Sequence, residues 1–234
     1  NLYGPPGTGK TMAANAIAKE LDMKLIWVNY AEIESKFVGE TSKNLVYLFR
    51  EAEGKNAIIL FDEADALLSR RVTDMSSATD VSVNQTRSVL LGLLDSFEGI
   101  VIFTTNFIQN YDPAFMRRIP YHIKFDLPNE ENRKALLKMY LGGTVPNSID
   151  IDYIAREYEG ISGSDISNAL LMSALRTARN EKKDMPQDYF EESLRHILEG
   201  KKANAGNHYN VKVYEREVSE EYALKQLNRG GEHK

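Results

Sequence analysis

A chain of 234 residues, 42% of them hydrophobic, can bury a core and carry one large domain with a small satellite. A formal net charge of -5 and a pI near 5.5 argue against the basic face that duplex DNA or RNA requires, so no nucleic acid is expected as a partner. The absence of cysteine excludes a disulfide framework, a zinc–thiolate centre and a cysteine nucleophile, and no apolar run approaches the roughly 18 residues of a membrane span. No signal peptide is visible, and the expected location is cytoplasmic. Asn1 falls inside what should be the first strand, so the chain is expected to be trimmed at its N-terminus, and any membrane link would come from residues upstream of it.

Leu2-Tyr3 ends a strand-like run, and Gly4-Pro5-Pro6-Gly7-Thr8-Gly9-Lys10-Thr11 then satisfies G-x-x-x-x-G-K-[ST] at every required position. A helix is expected from Thr11 to Leu21. The same pattern can occur as a Gly/Pro-rich turn with a solvated lysine, but a strand before it and a helix after it are the context that a phosphate cradle needs. Glycines let successive N–H groups turn inward, and the helix N-terminus adds partial positive charge. The nucleotide-binding candidates are Pro6, Gly7, Thr8, Gly9, Lys10, Thr11 and Met12, with Lys10 reaching the β- and γ-phosphates and the Thr11 hydroxyl ligating Mg²⁺.

Lys24 to Val28 reads as a buried strand and Ser42 to Glu53 as a helix closed by Gly54. Ala57-Ile58-Ile59-Leu60-Phe61 is nearly continuous in apolar residues, as a central parallel strand covered on both faces should be. It ends in Asp62-Glu63, about fifty residues after Lys10, where open α/β sheets bind ligands. Such a pair alone is more often a strand end or an N-cap. With the phosphate loop upstream it reads as a Walker B pair, Asp62 holding Mg²⁺ through its water shell and Glu63 orienting and deprotonating the attacking water.

An apolar stripe at 89, 90, 93, 94 and 97 marks a helix from Val83 to Phe97, and the strand Ile100 to Thr104 follows Gly99. Asn106 should then emerge beside the Asp62-Glu63 strand end and hold the attacking water, although a turn asparagine is the ordinary use of such a residue. Asp112 to Arg118 reads as a short helix and Tyr121 to Phe125 as a strand. Arg117 and Arg118 close that helix. A guanidinium there is suited to transition-state charge on a γ-phosphate, in its own subunit or a neighbour, and a solvated basic pair at a helix C-terminus is the alternative.

The pattern breaks at Pro128. We therefore expect an α/β domain over 1–127, with a parallel sheet flanked by helices in the manner of P-loop NTPases, and a small all-helical lid over 128–200. The lid helices are Asn129 to Leu141, Ile151 to Tyr158, Ser164 to Asn180 and Pro186 to Leu198. Residues 201–234 form a polar tail, with a short strand at Val211 to Val213 and a helix from Ser219 to Asn228. Histidines at 122, 196, 208 and 233 are scattered and lack the H-E-x-x-H spacing, so metal ligation by histidine is not expected.

Together these residues resemble the AAA ATPases from Asn1 to about Gly200. The matches are the Gly4 to Thr11 loop, Asp62-Glu63-Ala64-Asp65-Ala66-Leu67, Thr105-Asn106, Asp112-Pro113-Ala114-Phe115-Met116-Arg117-Arg118 and Gly160-Ile161-Ser162-Gly163-Ser164-Asp165-Ile166. The last is similar to the family's second sensor region, in a branch that carries Gly163-Ser164 in place of an arginine and closes around base and ribose. Arg117-Arg118-Ile119-Pro120 is similar to the branch holding katanin, spastin and the ATPases that extract tail-anchored membrane proteins. The resemblance implies Mg²⁺-dependent ATP hydrolysis in a homohexameric ring, with Arg117 and Arg118 acting in trans. It also likens Ser35 to Glu40 to the first pore loop of protein-translocating rings, where Lys36, Phe37, Val38 and Gly39 would grip a threaded polypeptide, and places a second pore loop in Thr73 to Val83. Three uses of such an ATP site stand beside one another: a protein-remodelling motor, which the acidic balance and the aromatic loop favour, a nucleic-acid-associated motor or loader, and a nucleotide-gated scaffold.

Overall fold

The structure is a computed structural model that describes residues 1–29, 41–69, 78–106, 108, 111–142 and 146–206. Residues Asn1–Ile197 make one compact unit and Leu198–Lys234 a second, so the boundary expected at Pro128 lies inside the first unit. The strand expected at Val211 to Val213 and the helix expected from Ser219 lie outside the described residues.

Five strands, β1 (Leu2–Tyr3), β2 (Lys24–Asn29), β3 (Ala57–Asp62), β4 (Val101–Thr105) and β5 (Ile123–Lys124), form one sheet in the order β2-β3-β4-β1-β5, and all neighbours run parallel. Helices α1 (Lys10–Glu20), α2 (Thr41–Lys55), α3 (Asp65–Leu68), α4 (Ala78–Ser96) and α5 (Pro113–Arg118) lie between the strands in sequence. After β5 come α6 (Glu130–Leu141), α7 (Ile151–Glu157), α8 (Gly163–Arg179) and α9 (Gln187–Gly206).

The central position of β3 follows from its composition. Strand side chains alternate in direction, and Ala57 to Phe61 is buried at every position. Ile58 and Leu60 pack with Ala14 and Ala18 of α1, whereas Ala57, Ile59 and Phe61 pack with Leu45 and Phe49 of α2 and Leu90 of α4. The sheet is thus covered on both faces, and each such large apolar side chain contributes about 1.5–3 kcal/mol by leaving water. Phe61 stacks on Phe103 of β4 at 5.2 Å between ring centroids, and this fixes the two strands whose ends carry the site.

Side-chain caps set the starts of α5, α6, α7 and α8. Asp112 accepts from the Ala114 amide at 2.8 Å ahead of α5, Asn129 from Asn132 at 2.8 Å ahead of α6, and Asp150 from Tyr153 at 3.0 Å ahead of α7. Ser162 and Asp165 form a reciprocal capping box at α8. Two buried arginines staple the loops: Arg87 donates to the Leu67 carbonyl and Ser69, and Arg133 to the Ala155 and Pro128 carbonyls. Only two residues of the expected Tyr121 to Phe125 strand are in β5, because β1 offers only two residues to pair with. Helix α4 begins at Ala78, five residues ahead of the expected start, since the apolar stripe that marks it begins only at Val89. Among the described residues no helix is long and apolar enough to cross a membrane.

Candidate functional site

The Gly4 to Thr11 loop leaves β1 and enters α1 through three glycines with positive φ: Gly4 (+141°), Gly7 (+74°) and Gly9 (+95°). A Cβ on Gly4 would lie 2.0 Å from the Phe125 carbonyl oxygen, and one on Gly7 would lie 1.9 Å from Ser164 Oγ. Neither position admits a side chain. Gly9 precedes α1 without a side-chain cap, so the first turn of α1 keeps amide donors for a ligand.

Lys10 is buried, and its ammonium donates to the Gly4 carbonyl at 2.8 Å, the Pro5 carbonyl at 2.9 Å and Asn106 Oδ1 at 2.9 Å. Each of its three protons has an acceptor. Burial lowers the Lys10 pKa, against the opposing pull of the Asp65, Asp62 and Glu63 carboxylates. Asn106 therefore emerges from the end of β4 beside the phosphate loop, with its carbonyl turned toward the lysine.

At the end of β3, the Thr11 hydroxyl donates to Asp62 Oδ1 at 3.0 Å and to Oδ2 at 3.2 Å. Two hard oxygen donors that converge in this way fit Mg²⁺. Among the described residues no group of three or more His, Asp or Glu side chains is placed to hold a metal ion, so phosphate oxygens and water would complete the coordination. Glu63 follows with a positive φ of 52°, unusual for a residue that carries a Cβ. Its backbone N–H donates to Thr104 Oγ1 at 3.1 Å, and the Thr104 hydroxyl in turn donates to Asp62.

These residues face one cavity of about 710 Å³, lined by Pro6 to Met12, Asp62, Glu63, Asn106, Gly163 and Ser164. That size suits a small-molecule ligand. Gly163 and Ser164, more than 150 residues from the loop in sequence, reach it through the Ser164 N–H, which donates to the Gly7 carbonyl at 3.3 Å. Leu136, Met139 and Tyr140 of α6 add an apolar wall that sequence reasoning missed, because they look like any helical stripe. Thr104, Thr105 and Asp65 were missed as well. Asp65 and Thr105 lie inside recognisable motifs, but only the fold shows that the Thr105 hydroxyl donates to Asp65 Oδ1.

The arginines lie elsewhere. Neither Arg117 nor Arg118 lines the cavity. Arg118 holds Asp95 of α4 in a two-pronged pair, Nε to Oδ1 at 2.7 Å and Nη2 to Oδ2 at 2.8 Å, and also donates to the Ala114 carbonyl at 3.2 Å. This contact keeps the Asp95 carboxyl below the usual carboxylate range. Arg117 is exposed. Lys36, Phe37, Val38 and Gly39 lie outside the described residues, as do residues 73–77 of the Thr73 to Val83 segment, whose remainder from Ala78 opens α4.

The sequence pattern of the "ATPase family associated with various cellular activities (AAA)" matches residues 1–127. Among similar proteins, a 26S proteasome regulatory subunit 10B homolog A of Arabidopsis thaliana is 35% identical over 218 residues, which cover 90% of this chain and 54% of that protein. Cell division protein C of Sulfolobus acidocaldarius is 34% identical over 226 residues, 92% of this chain and 60% of its own. A proteasome-activating nucleotidase of Methanopyrus kandleri is 34% identical over 213 residues, 88% of this chain and 49% of its own. The chain thus spans about half the length of the relatives it matches.

Proposed function

Because this chain belongs to the AAA family of ATPases, we propose that it binds Mg²⁺ and ATP in the cavity at the β-strand ends and hydrolyses ATP to ADP and phosphate. The work done would be the remodelling, unfolding or extraction of protein substrates by a homo-oligomeric ring, expected to be a hexamer. The observation that carries the reading is the meeting of the Thr11 hydroxyl and the Asp62 carboxylate at 3.0 Å beside the Lys10 ammonium.

In this reading the loop amides and the start of α1 bind the phosphates, and Lys10 exchanges its Gly4 and Pro5 carbonyls for the β- and γ-phosphate oxygens. Thr11 and Asp62 hold the Mg²⁺, which when bound neutralises charge on the phosphoryl oxygens. Asn106 positions the attacking water and Glu63 removes its proton. The apolar wall of Leu136, Met139 and Tyr140 faces the base, and Gly163-Ser164 closes over base and ribose as part of a helical lid spanning 128–200. Arg117 and Arg118 supply positive charge to the site of a neighbouring copy, which agrees with their lying outside the cavity of their own chain.

Polypeptide as the substrate is supported by relatives named for the proteasome and by the likeness of Lys36-Phe37-Val38-Gly39 to a translocating pore loop. The Arg117-Arg118-Ile119-Pro120 run supports a position near the branch of katanin, spastin and the tail-anchored-protein extractors. The test is ATP hydrolysis by the purified protein with Mg²⁺, in the presence of either an unfolded polypeptide or duplex DNA. Hydrolysis that EDTA abolishes and that polypeptide but not DNA stimulates is expected. Stimulation by DNA alone would move the protein to the nucleic-acid motors.

A further inference from the structure

The residue that joins the two carboxylates at the strand end is Thr104. It is 2% exposed and lies on β4, beside the end of β3. Its hydroxyl donates its one proton to Asp62 Oδ1 and accepts the Glu63 N–H at 3.1 Å. Its carbonyl accepts the Ala64 N–H at 2.9 Å. The peptide units on both sides of Glu63 are therefore anchored to the same residue, and Glu63 is the one held at φ +52°. A residue in that conformation persists only where its surroundings fix it. The carboxylate of Asp62 is likewise fixed from two sides, by Thr11 and by Thr104.

We infer that Thr104 is a positioning residue for ATP hydrolysis: through one hydroxyl it sets the orientation of the Asp62 carboxylate and the direction in which Glu63 points into the cavity. This rests on the nucleotide reading proposed above. Thr104 need not touch nucleotide itself, and loss of its hydroxyl would leave the Glu63 N–H without its acceptor and the Asp62 carboxylate held by Thr11 alone. Outer-shell partners of metal ligands change metal affinity or activity by about 10- to 100-fold when removed, and an effect of that order is expected here.

The test compares Thr104→Val, which keeps the shape and loses the hydroxyl, with Thr104→Ser, which keeps the hydroxyl. Binding of a fluorescent ATP analogue is measured with and without Mg²⁺, together with kcat and KM for ATP. For Thr104→Val we expect kcat lower by about 10- to 100-fold with KM changed little, and a several-fold higher Mg²⁺ concentration for half-maximal binding enhancement. Affinity without Mg²⁺ should match the wild type, and Thr104→Ser should recover most of the loss. The inference is overturned if Thr104→Val keeps the wild-type kcat and Mg²⁺ dependence. It is equally overturned if Val loses metal-free binding along with everything else, or if Ser does not rescue, since either marks a merely structural role. A wild-type protein that neither binds nor hydrolyses ATP would instead overturn the nucleotide reading.

Discussion

Lys10 and Glu63 face the same cavity, yet their substitutions should separate binding from chemistry. The Lys10 ammonium has three protein acceptors in reach and sits among carboxylates, and its removal takes away the loop's point charge. A charge-assisted hydrogen bond is worth about 1.5–3 kcal/mol, so Lys10→Ala should weaken ATP binding by about 10- to 100-fold. Glu63→Gln keeps the shape and loses the base; it should bind ATP within a few-fold of wild type while turnover falls by about 100-fold or more. Equilibrium nucleotide binding and phosphate release, measured on both variants, check this. Equal losses of binding in the two, or wild-type turnover in the Gln variant, would remove the assigned roles. The sequence made these two residues legible because the chemistry fixes their spacing to nearby glycines or to an apolar strand. Thr104 was not legible in the same way: it contacts Asp62 across 42 residues of sequence, and only the adjacency of β4 to β3 brings them together.

Elements were legible where burial imposes a period. The continuous apolar run of β3 and the stripe of α4 announced themselves, whereas the short length of β5, the start of α4 and the four-residue α3 did not, since each is set by pairing or a local turn rather than by a repeated face. The end of α7 yields a prediction at this scale. Tyr158 caps it, and its hydroxyl donates to Glu191 Oε2 of α9 at 3.2 Å. Burial first, and then the Glu191 carboxylate, push the Tyr158 phenol from its ordinary value of 10.0 up to about 12. The folded state therefore favours the neutral phenol. Its contribution is complete below pH 10 and is lost as the pH rises from about 10 through about 12, because the unfolded chain gives up that proton first. Tm measured across this range should fall more steeply for the wild type than for Tyr158→Phe; parallel curves would mean that this contact does not couple α7 and α9 to pH.

For the whole molecule, the cavity and the family support the proposal of an ATP-driven machine, and the arginines give its proposed assembly a testable form. Arg117 and Arg118 close α5 outside the cavity of their own chain, with Arg118 resting on Asp95 across the same unit. A site completed by a second copy would leave each chain with a phosphate loop for itself and a guanidinium for its neighbour. Nothing in the linear sequence distinguishes that arrangement from a solvated basic pair, because the distinction lies in the assembly. The most direct measurement is therefore ATP hydrolysis by a mixture of two inactive proteins, one Lys10→Ala and the other carrying both Arg117→Ala and Arg118→Ala, under conditions where subunit exchange is verified. Each alone should be nearly inactive, and the mixture should recover part of the wild-type rate at those interfaces where a sound loop meets a sound arginine. Mixed assemblies that form and show no recovery would contradict a site built from two copies of this chain.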